Sequence, residues 1–462
     1  MDEIAYRQIP KMNKLLELST VQKAAEGLPR PLVKNALQAE LDDLRQELKN
    51  GTPLPTENAL QERLANAIQK AGQWQLRKVF NATGVVMHTN LGRAPLGQAL
   101  SAHISQAAVG YSTLEYDLES GSRGSRYALV EQQLCRLTGA EAAMVVNNNA
   151  AAVFLMLNTL AKGKHVVVSR GELVEIGGAF RVPEIMNASG ASLLEIGTTN
   201  KTHLADYEKA LEQENIGALL KVHTSNFKIV GFSEEVALAP LSALAEKHHI
   251  PLLYDLGAGF LVHPELLGLH DGVYVPDAVK QADLCCFSGD KLFGAGQAGV
   301  ILGKKEYIDR MKRNQLARML RVDKMTLASV EAALRLYEDP ETAKMQLPVL
   351  RMLSVPASRL QEIAERLTTR CRALCPSFSF TTVPCTDEPG GGSLPTLELP
   401  GWAVAVSCSA MKAEKIEAAL RALSIPIIGR IYKDRVLFSV RTLLFEDEEL
   451  FLNVLAELEV VR

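Results

Sequence analysis

A lysine that closely follows an apolar segment is the most chemically informative feature of the sequence. Residues 284–287 are apolar, and Lys291 lies just after them in a segment, residues 289–299, that is too rich in glycine to form a helix. A solvated lysine has a pKa of about 10.4 and is a poor nucleophile at neutral pH. A lysine held in a pocket at a strand end can lose its proton and form a Schiff base. Ser288 could then offer its hydroxyl to a phosphate in the same loop, and a surface lysine in a turn is the alternative.

A second candidate is Asp255, which directly follows the apolar residues 251–254. An aspartate at the carboxyl edge of a parallel strand lies where ligands bind in such sheets. Paired with a pyridinium nitrogen, this carboxylate would keep a pyridoxal ring protonated and therefore electron-withdrawing. A helix-capping aspartate is the structural alternative.

Three consecutive asparagines, Asn147, Asn148 and Asn149, follow the apolar residues 143–146 and open a helical pattern. Free amides at the start of a helix form an anion site suited to a phosphate, whereas plain N-capping is the alternative. Taken in chain order, the asparagines, the aspartate and the lysine match what a pyridoxal 5′-phosphate enzyme of the aminotransferase-like fold requires.

Residues 294–299 spell the dinucleotide-binding pattern G-x-G-x-x-G, but their context argues against a nicotinamide cofactor. That pattern indicates a nucleotide site only where it follows a strand and opens a helix. Here it leads into the apolar residues 300–302, which are typical of a strand.

Arginines form the next layer of candidates. Arg318 and Arg321 lie three residues apart in a helical segment and therefore share a face, and Arg93 lies in a polar loop. Arginine binds phosphate-like anions bidentately, so the three together would suit an anionic second substrate. A solvated helix face is the ordinary alternative, and the sequence alone does not bring the three side chains together.

Seven short apolar segments, most of them separated by 15–30 residues of helical periodicity, predict the scaffold for these side chains. They are residues 143–146, 165–168, 192–196, 218–222, 251–254, 284–287 and 299–302. Strand–helix alternation with near-continuous apolar strands indicates an α/β protein whose mostly parallel sheet is buried on both faces.

The pattern changes along the chain and predicts four segments. They are a helical N-terminal domain (1–75), a large α/β domain (76–310), a helical connection (311–385) and a small C-terminal α+β domain (386–462). Near the start of the last segment, the glycine-rich residues 387–393 are predicted to form a loop, and residues 394–399 a strand.

Composition excludes several classes of protein. The 462 residues include 50 basic and 53 acidic ones, and this balance argues against a protein that coats DNA or a membrane surface. No apolar stretch reaches the roughly 18 residues of a membrane span, and the acidic start is unlike a secretory signal. The seven cysteines lack paired or zinc-ligand spacing, so we expect reduced thiols in the cytoplasm and no metal site.

Long segments of the chain closely resemble the bacterial selenocysteine synthase family, the L-seryl-tRNA(Sec) selenium transferases. They are residues 81–93 (NATGVVMHTNLGR), 168–181 (VSRGELVEIGGAFR), 222–226 (VHTSN), 288–291 (SGDK), 323–327 (DKMTL), 391–395 (GGSLP) and 426–431 (PIIGRI). The resemblance covers nearly the whole chain and includes Ile9-Pro10 and Leu15-Leu16, which look like the family's tRNA-binding amino-terminal region.

The resemblance implies a fold type I pyridoxal 5′-phosphate enzyme in which Lys291 carries the cofactor. It implies a homodecamer, a pentamer of dimers, that binds seryl-tRNA(Sec) and uses selenophosphate as selenium donor. Arg93, Arg318 and Arg321 match the family residues that bind the donor's phosphate. His223 is our candidate for the residue that stacks on the cofactor ring.

The chemistry that the resemblance implies begins when Lys291 removes the α-proton of the seryl group while Asp255 keeps the ring protonated. Asp290 or a nearby acid then assists departure of the hydroxyl, which leaves dehydroalanyl-tRNA for the selenium donor. The sequence departs from the family pattern at Ala258, where serine is expected, and at Ala295-Gly296, where Gly-Pro is expected. Both departures affect expected hydrogen bonds to the cofactor, and neither removes a reactive group.

Two other functions stay open on sequence grounds. One is a pyridoxal-phosphate lyase acting on a small amino acid or amino-sugar acid, although such a chain should lack the helical amino-terminal extension. The other is a non-catalytic tRNA-binding relative, against which the set of Lys291, Asp255 and the three asparagines argues.

Overall fold

The structure, a computed structural model, describes residues 10–176, 180–444 and 446–460. Ile9 and residues 177–179, which belong to the segments quoted above, lie outside the described residues. The chain divides into two compact units, Met1–Lys78 and Val79–Arg462.

The first unit is helical, as predicted. Its helices are α1 (Met12–Leu16), α2 (Ser19–Ala24), α3 (Arg30–Lys49) and α4 (Glu57–Gly72). Leu37, Leu41 and Leu44 lie on one face of α3 and are buried in a small core with Leu64 of α4. The hydroxyl of Thr56 caps α4 by accepting a hydrogen bond from the Ala59 N–H at 3.4 Å.

The second unit contains the strands. They are β1 (Phe80–Asn81), β2 (Val85–Met87), β3 (Tyr116–Asp117), β4 (Ser122–Arg123), β5 (Ala142–Val146), β6 (His165–Ser169), β7 (Glu175–Ile176), β8 (Phe180–Arg181), β9 (Ser192–Ile196), β10 (Ile216–Val222), β11 (Leu252–Gly257), β12 (Leu284–Ser288), β13 (Gly299–Gly303), β14 (Ser379–Gly390), β15 (Leu399–Ser407), β16 (Ile427–Ile428), β17 (Arg430–Tyr432) and β18 (Arg435–Ser439).

Helices alternate with these strands. They are α5 (Gly97–Val109), α6 (Ala128–Thr138), α7 (Asn149–Leu160), α8 (Val182–Ser189), α9 (Leu204–Leu211), α10 (Leu238–Lys247), α11 (Val275–Val279), α12 (Lys305–Arg313), α13 (Leu316–Met319), α14 (Lys324–Tyr337), α15 (Pro340–Gln346), α16 (Pro348–Ser354), α17 (Ala357–Leu374), α18 (Ala413–Ala422) and α19 (Glu448–Ala456). Short 3₁₀ helices lie at Thr89–Leu91, Arg170–Glu172, Pro264–Leu267, Arg441–Leu443 and Glu457–Glu459.

The main sheet has seven strands in the order β5-β13-β12-β11-β10-β6-β9, and all seven predicted apolar segments form it. Its strands run parallel except β13, which pairs antiparallel with both β12 and β5. Apolar side chains on both faces are buried in two separate clusters, as expected for a sheet covered on both sides. The predicted α/β architecture is therefore confirmed, and residues 294–299 lead into strand β13 rather than into a helix.

A second sheet of five strands, β17-β18-β15-β14-β2, carries the carboxyl-terminal part of the chain. The prediction of a loop over residues 387–393 is wrong for its first part, because β14 continues to Gly390. Asp387 is fully buried on this strand, where its carboxylate accepts hydrogen bonds from Arg441 Nε at 3.0 Å and Ser439 Oγ at 2.8 Å. The buried ion pair thus holds a polar, glycine-containing segment in a strand that its composition disfavours.

Residues 394–399 do not form the predicted strand, and β15 begins at Leu399. Gly390, Gly391, Gly392 and Leu394 all have positive φ, so the chain turns sharply here instead of extending. A Cβ on Gly391 would lie 2.9 Å from Cβ of Met87, which explains why the tight loop uses glycine there.

The topology collects polar side chains at one place. The parallel strands β5, β12, β11, β10, β6 and β9 all end at the same edge of the main sheet. Ligands bind at this edge in parallel sheets. Within the described residues, no helix has the length and apolar character needed to cross a membrane.

Candidate active site

Lys291 lies three residues after the end of β12 and its side chain is buried, with 7% of the residue exposed. Burial lowers the pKa of its amine, and the nearby positive charge of Arg93 lowers this pKa further. The negative charges of Asp255 and Asp290 oppose the shift. In the described part of the chain, Nζ takes part in no hydrogen bond, so the amine is available to a ligand.

Asp255 is on β11, next to β12, and is 3% exposed. Three donors converge on Oδ1: Nδ2 of Asn149 at 2.7 Å, the backbone N–H of Gly257 at 2.9 Å and Sγ of Cys286 at 3.7 Å. Within the described residues, no hydrogen bond reaches Oδ2. Burial raises the pKa of this carboxyl, while the hydrogen bonds from Asn149 and Gly257 oppose the rise.

The three asparagines have three different environments. Asn148 caps α7, because its side-chain oxygen accepts a hydrogen bond from the Ala151 N–H at 2.9 Å. The amide of Asn147, in its better-bonded orientation, donates to the carbonyls of Leu320 and Arg321. Asn149 turns inward to Asp255, and its own Oδ1 is buried without a hydrogen-bond partner. The start of α7 nevertheless lies at the sheet edge, where its free N–H groups suit an anion.

Ser288 and His223 also lie at this edge. Ser288 is the buried last residue of β12. His223 directly follows β10, and its backbone N–H donates to the Asp255 carbonyl at 2.8 Å. Burial lowers the pKa of the His223 imidazole, which favours the neutral ring.

Arg93 and Asp290 form an ion pair beside the lysine. Nη1 of Arg93 lies 2.7 Å from Oδ2 of Asp290, and the backbone N–H of Ala94 donates to the Asp290 carbonyl at 3.3 Å. Arg93 has a left-handed backbone with φ of 61°, which is uncommon for a residue other than glycine. Such local strain is concentrated at functional sites, and here it occurs at a residue that contacts the neighbour of Lys291.

Arg318 and Arg321 line a cavity of about 330 Å³, and Arg93 is not among its lining residues. Six cationic side chains and one carboxylate line this cavity, which we call the arginine cavity; they are Arg123, Arg126, Lys312, Arg313, Arg318, Arg321 and Glu115. Oε1 of Glu115 contacts Arg126 at 2.5 Å and Arg321 at 3.5 Å. The backbone of Arg321 also forms an isolated antiparallel β-bridge with Val146, the last residue of β5. The arginine cavity therefore lies beside the β5 end of the sheet edge.

The sequence analysis missed two groups at the edge. Cys286 is fully buried in the core, and its Sγ also contacts Oδ1 of Asp255 at 3.7 Å. Spacing in the sequence does not reveal this contact, because the two residues lie on different strands. Glu172 is 4% exposed, and it accepts hydrogen bonds from Nζ of Lys221 at 3.0 Å and from the Val222 N–H at 2.9 Å. A lysine within the apolar strand β10 was the available signal for this buried pair, because a buried charge needs a partner.

Comparisons with known proteins agree with the resemblance noted in the sequence. Residues 79–444 match the family model described as L-seryl-tRNA selenium transferase, and residues 6–45 match the one described as selenocysteine synthase N terminal. Two relatives named L-seryl-tRNA(Sec) selenium transferase are each 44% identical to this chain. The one from Geobacter sulfurreducens aligns over 458 residues, 98% of this chain and 99% of its own length. The one from Caldanaerobacter subterraneus aligns over 459 residues, 99% of each chain.

Among solved structures, that of D-glucosaminate-6-phosphate ammonia-lyase is similar in fold. It superposes with a TM-score of 0.56 at 22% identity, and the match covers 84% of this chain and 96% of that chain. This likeness shows that the two chains share the pyridoxal-phosphate type I fold.

Replacing Arg93 with glutamine should raise the pKa of Lys291, because a nearby positive charge is removed and Asp290 is left free to attract the ammonium. Asp290→Asn should lower the same pKa, and Arg318→Gln should leave it unchanged. Reductive ¹³C-methylation of the cofactor-free protein, followed by an NMR pH titration, measures these pKa values. An Arg93→Gln variant with an unchanged or lower Lys291 pKa would contradict the assignment.

Proposed function

The chain belongs to the L-seryl-tRNA selenium transferase family, and we propose that it converts L-seryl-tRNA(Sec) to L-selenocysteinyl-tRNA(Sec) with selenophosphate as selenium donor. The observation that carries this proposal is the pairing of a buried Lys291 with a buried Asp255 on adjacent strands. Similarity over almost the whole length of relatives with this activity supports the choice of substrate.

The cofactor of the family, pyridoxal 5′-phosphate, fits the residues at the sheet edge. Lys291 Nζ and Asp255 Oδ2 both lack hydrogen-bond partners among the described residues, and they are the atoms that would bind its aldehyde and its ring nitrogen. The buried Oδ1 of Asn149 is likewise unpartnered. We assign the phosphate to the start of α7 and to Ser288, and the open ring face to His223. When bound, pyridoxal phosphate withdraws electrons from the α-carbon of the attached amino acid.

Lys291 moves the protons in the proposed reaction. The lowered pKa of its amine favours the neutral Nζ, which we propose accepts the α-proton of the seryl group. Asp255 holds a proton on the ring nitrogen through Oδ2, the oxygen that its three donors leave free. The ammonium of Lys291 then returns its proton to the seryl hydroxyl, which leaves as water.

We propose a positioning role for Asp290, which was a candidate acid on sequence grounds. Oδ2 of Asp290 forms a 2.7 Å ion pair with Nη1 of Arg93, the arginine that lies beside the lysine. We therefore propose that Asp290 orients Arg93 and adjusts the charge around Lys291. This role accounts for its position directly before the lysine.

Anionic selenophosphate requires cationic groups, and two sets are available. Arg318 and Arg321 line the strongly cationic arginine cavity at the β5 side of the edge. Arg93 lies beside Lys291. We propose that the donor's phosphate binds these three arginines, with Arg93 releasing or sharing Asp290 as the donor arrives.

We propose that the helical first unit binds the tRNA, in keeping with the match of residues 6–45 to the selenocysteine synthase N terminal model. The exposed apolar side chains of Val109, Tyr111 and Leu118 favour self-association, which we propose yields a homodecamer of five dimers. The seven free cysteines favour the reducing cytoplasm as the place of action.

Turnover of seryl-tRNA(Sec) tests the proposed reaction. The cofactor-loaded enzyme should form selenocysteinyl-tRNA when selenophosphate is present, and Lys291→Ala should lose both this activity and the visible absorption band of the lysine-bound cofactor. Lys280→Ala, which removes an exposed lysine from the same unit, should keep both. Retention of the visible band in Lys291→Ala would show that another residue holds the cofactor.

Deleting residues 1–78 should abolish binding of seryl-tRNA(Sec) and leave the visible band of the cofactor in place. The two units have separate cores, so the second should retain its cofactor site. Binding is measured by filter retention at several salt concentrations, because phosphate contacts weaken as salt rises. Unchanged affinity in the shortened protein would refute the role proposed for the first unit.

A further inference from the structure

A second cavity, of about 340 Å³, lies at the same sheet edge, where β6, β9 and β10 end. His223, which follows β10 beside Asp255, forms part of its wall. Much of the rest is hydroxyl-bearing: Ser169, Thr198, Thr202 and Thr224 line it. We call it the hydroxyl cavity.

The charged lining of the hydroxyl cavity is acidic overall, with four carboxylates and two lysines. Glu172, Glu234, Glu235, Asp271, Lys201 and Lys228 are its charged lining residues. Glu172 is paired with the buried Lys221, and Oδ2 of Asp271 lies 3.8 Å from Nζ of Lys228. A phosphate would gain little here, whereas a neutral ligand rich in hydroxyl groups would find many partners. The arginine cavity at the β5 side has the opposite character.

Four apolar side chains also line the hydroxyl cavity. They are Phe227, which is 36% exposed, Ile229, Leu394 and Pro395. The glycine loop before Leu394 approaches so closely that a Cβ on Gly392 would lie 3.2 Å from Cβ of Asn226. An aromatic face next to hydroxyl groups suits a nucleoside, whose base stacks and whose ribose forms hydrogen bonds.

The spacing of the strands gives the distance between the hydroxyl cavity and Lys291. Neighbouring strands lie about 4.8 Å apart, so the end of β10 is roughly 10 Å from the end of β12. The seryl group is one residue long, about 3.5 Å. The ribose attached to it, and then the base, must therefore lie about one to three strand spacings from Lys291.

We propose that the hydroxyl cavity binds the 3′-terminal adenosine of the aminoacyl-tRNA, with the base against Phe227 and the ribose against the hydroxyl-bearing wall. This inference rests on the proposed function and adds the subsite that receives the acceptor end. The seryl group then enters from the β10 side, and the anionic donor enters from the β5 side. Two substrates of different charge thus reach the lysine from opposite ends of one edge.

Two mimics isolate the nucleoside contribution. One is serinamide, and the other is the 3′-amide of serine with 3′-amino-3′-deoxyadenosine; titration calorimetry measures the Kd of each for the cofactor-loaded enzyme. The adenosine-bearing mimic should bind at least about tenfold more tightly, the size of one aromatic–base stack. Equal affinity of the two mimics would overturn the proposal.

Variants then locate the subsite. Phe227→Ala and Thr224→Val should each lose much of the adenosine-dependent gain while serinamide binding stays unchanged. Val230→Ala is the matched control, since this side chain is in the same loop, 81% exposed, and does not line the cavity. A gain retained in both Phe227→Ala and Thr224→Val would also overturn the proposal. Seryl-tRNA turnover by the unchanged enzyme is independent of this result, so the subsite can fail while the proposed reaction stands.

Discussion

The buried carboxylate of Asp255 is the interaction on which the site depends. A carboxylate with 3% exposure is costly unless its hydrogen-bonding capacity is used. Asn149, Gly257 and Cys286 all direct their donors to the same oxygen, so the second oxygen is left for a ligand. These three groups come from the start of α7, from β11 and from β12. The register of the sheet and the helix that follows β5 therefore determine which oxygen of Asp255 can bind a ligand.

The sheet edge separates charges as well as positioning atoms. Cationic side chains gather beside β5, Asp255 lies on β11, and Asp290 and Lys291 follow β12. The cavity at the end of β10 has more acidic than basic side chains. Each charged group acts strongly on what binds beside it in the low-dielectric protein, while water and salt screen it from more distant groups. Burial and the nearby Arg93 also lower the pKa of the Lys291 amine, which favours the neutral form that the proposed proton removal needs. The order of the strands along the sheet edge thus determines both where the charged groups lie and which lysine is placed for proton transfer.

Much of this arrangement follows from local sequence patterns. The strands of the main sheet are near-continuous apolar segments, and Asp255 and Lys291 were identified because polar residues follow such segments. The hydrogen bond between Asn149 and Asp255 could not be inferred in this way, because the two residues are 106 positions apart. A helix-capping asparagine, which was the alternative, would show the same local sequence pattern. Asp387 was misplaced in a loop for a related reason: its strand is stabilised by Arg441, a partner 54 residues away. Local composition predicts elements well, whereas paired buried polar groups depend on tertiary contacts.

The claim that Asp255 holds a proton on the ring nitrogen can be measured directly. The enzyme is loaded with pyridoxal phosphate labelled with ¹⁵N in the ring, and the ¹⁵N chemical shift is recorded near neutral pH. The account predicts the shift of a protonated nitrogen in the unchanged enzyme and of an unprotonated one in Asp255→Ala. An unprotonated ring nitrogen in the unchanged enzyme would contradict it.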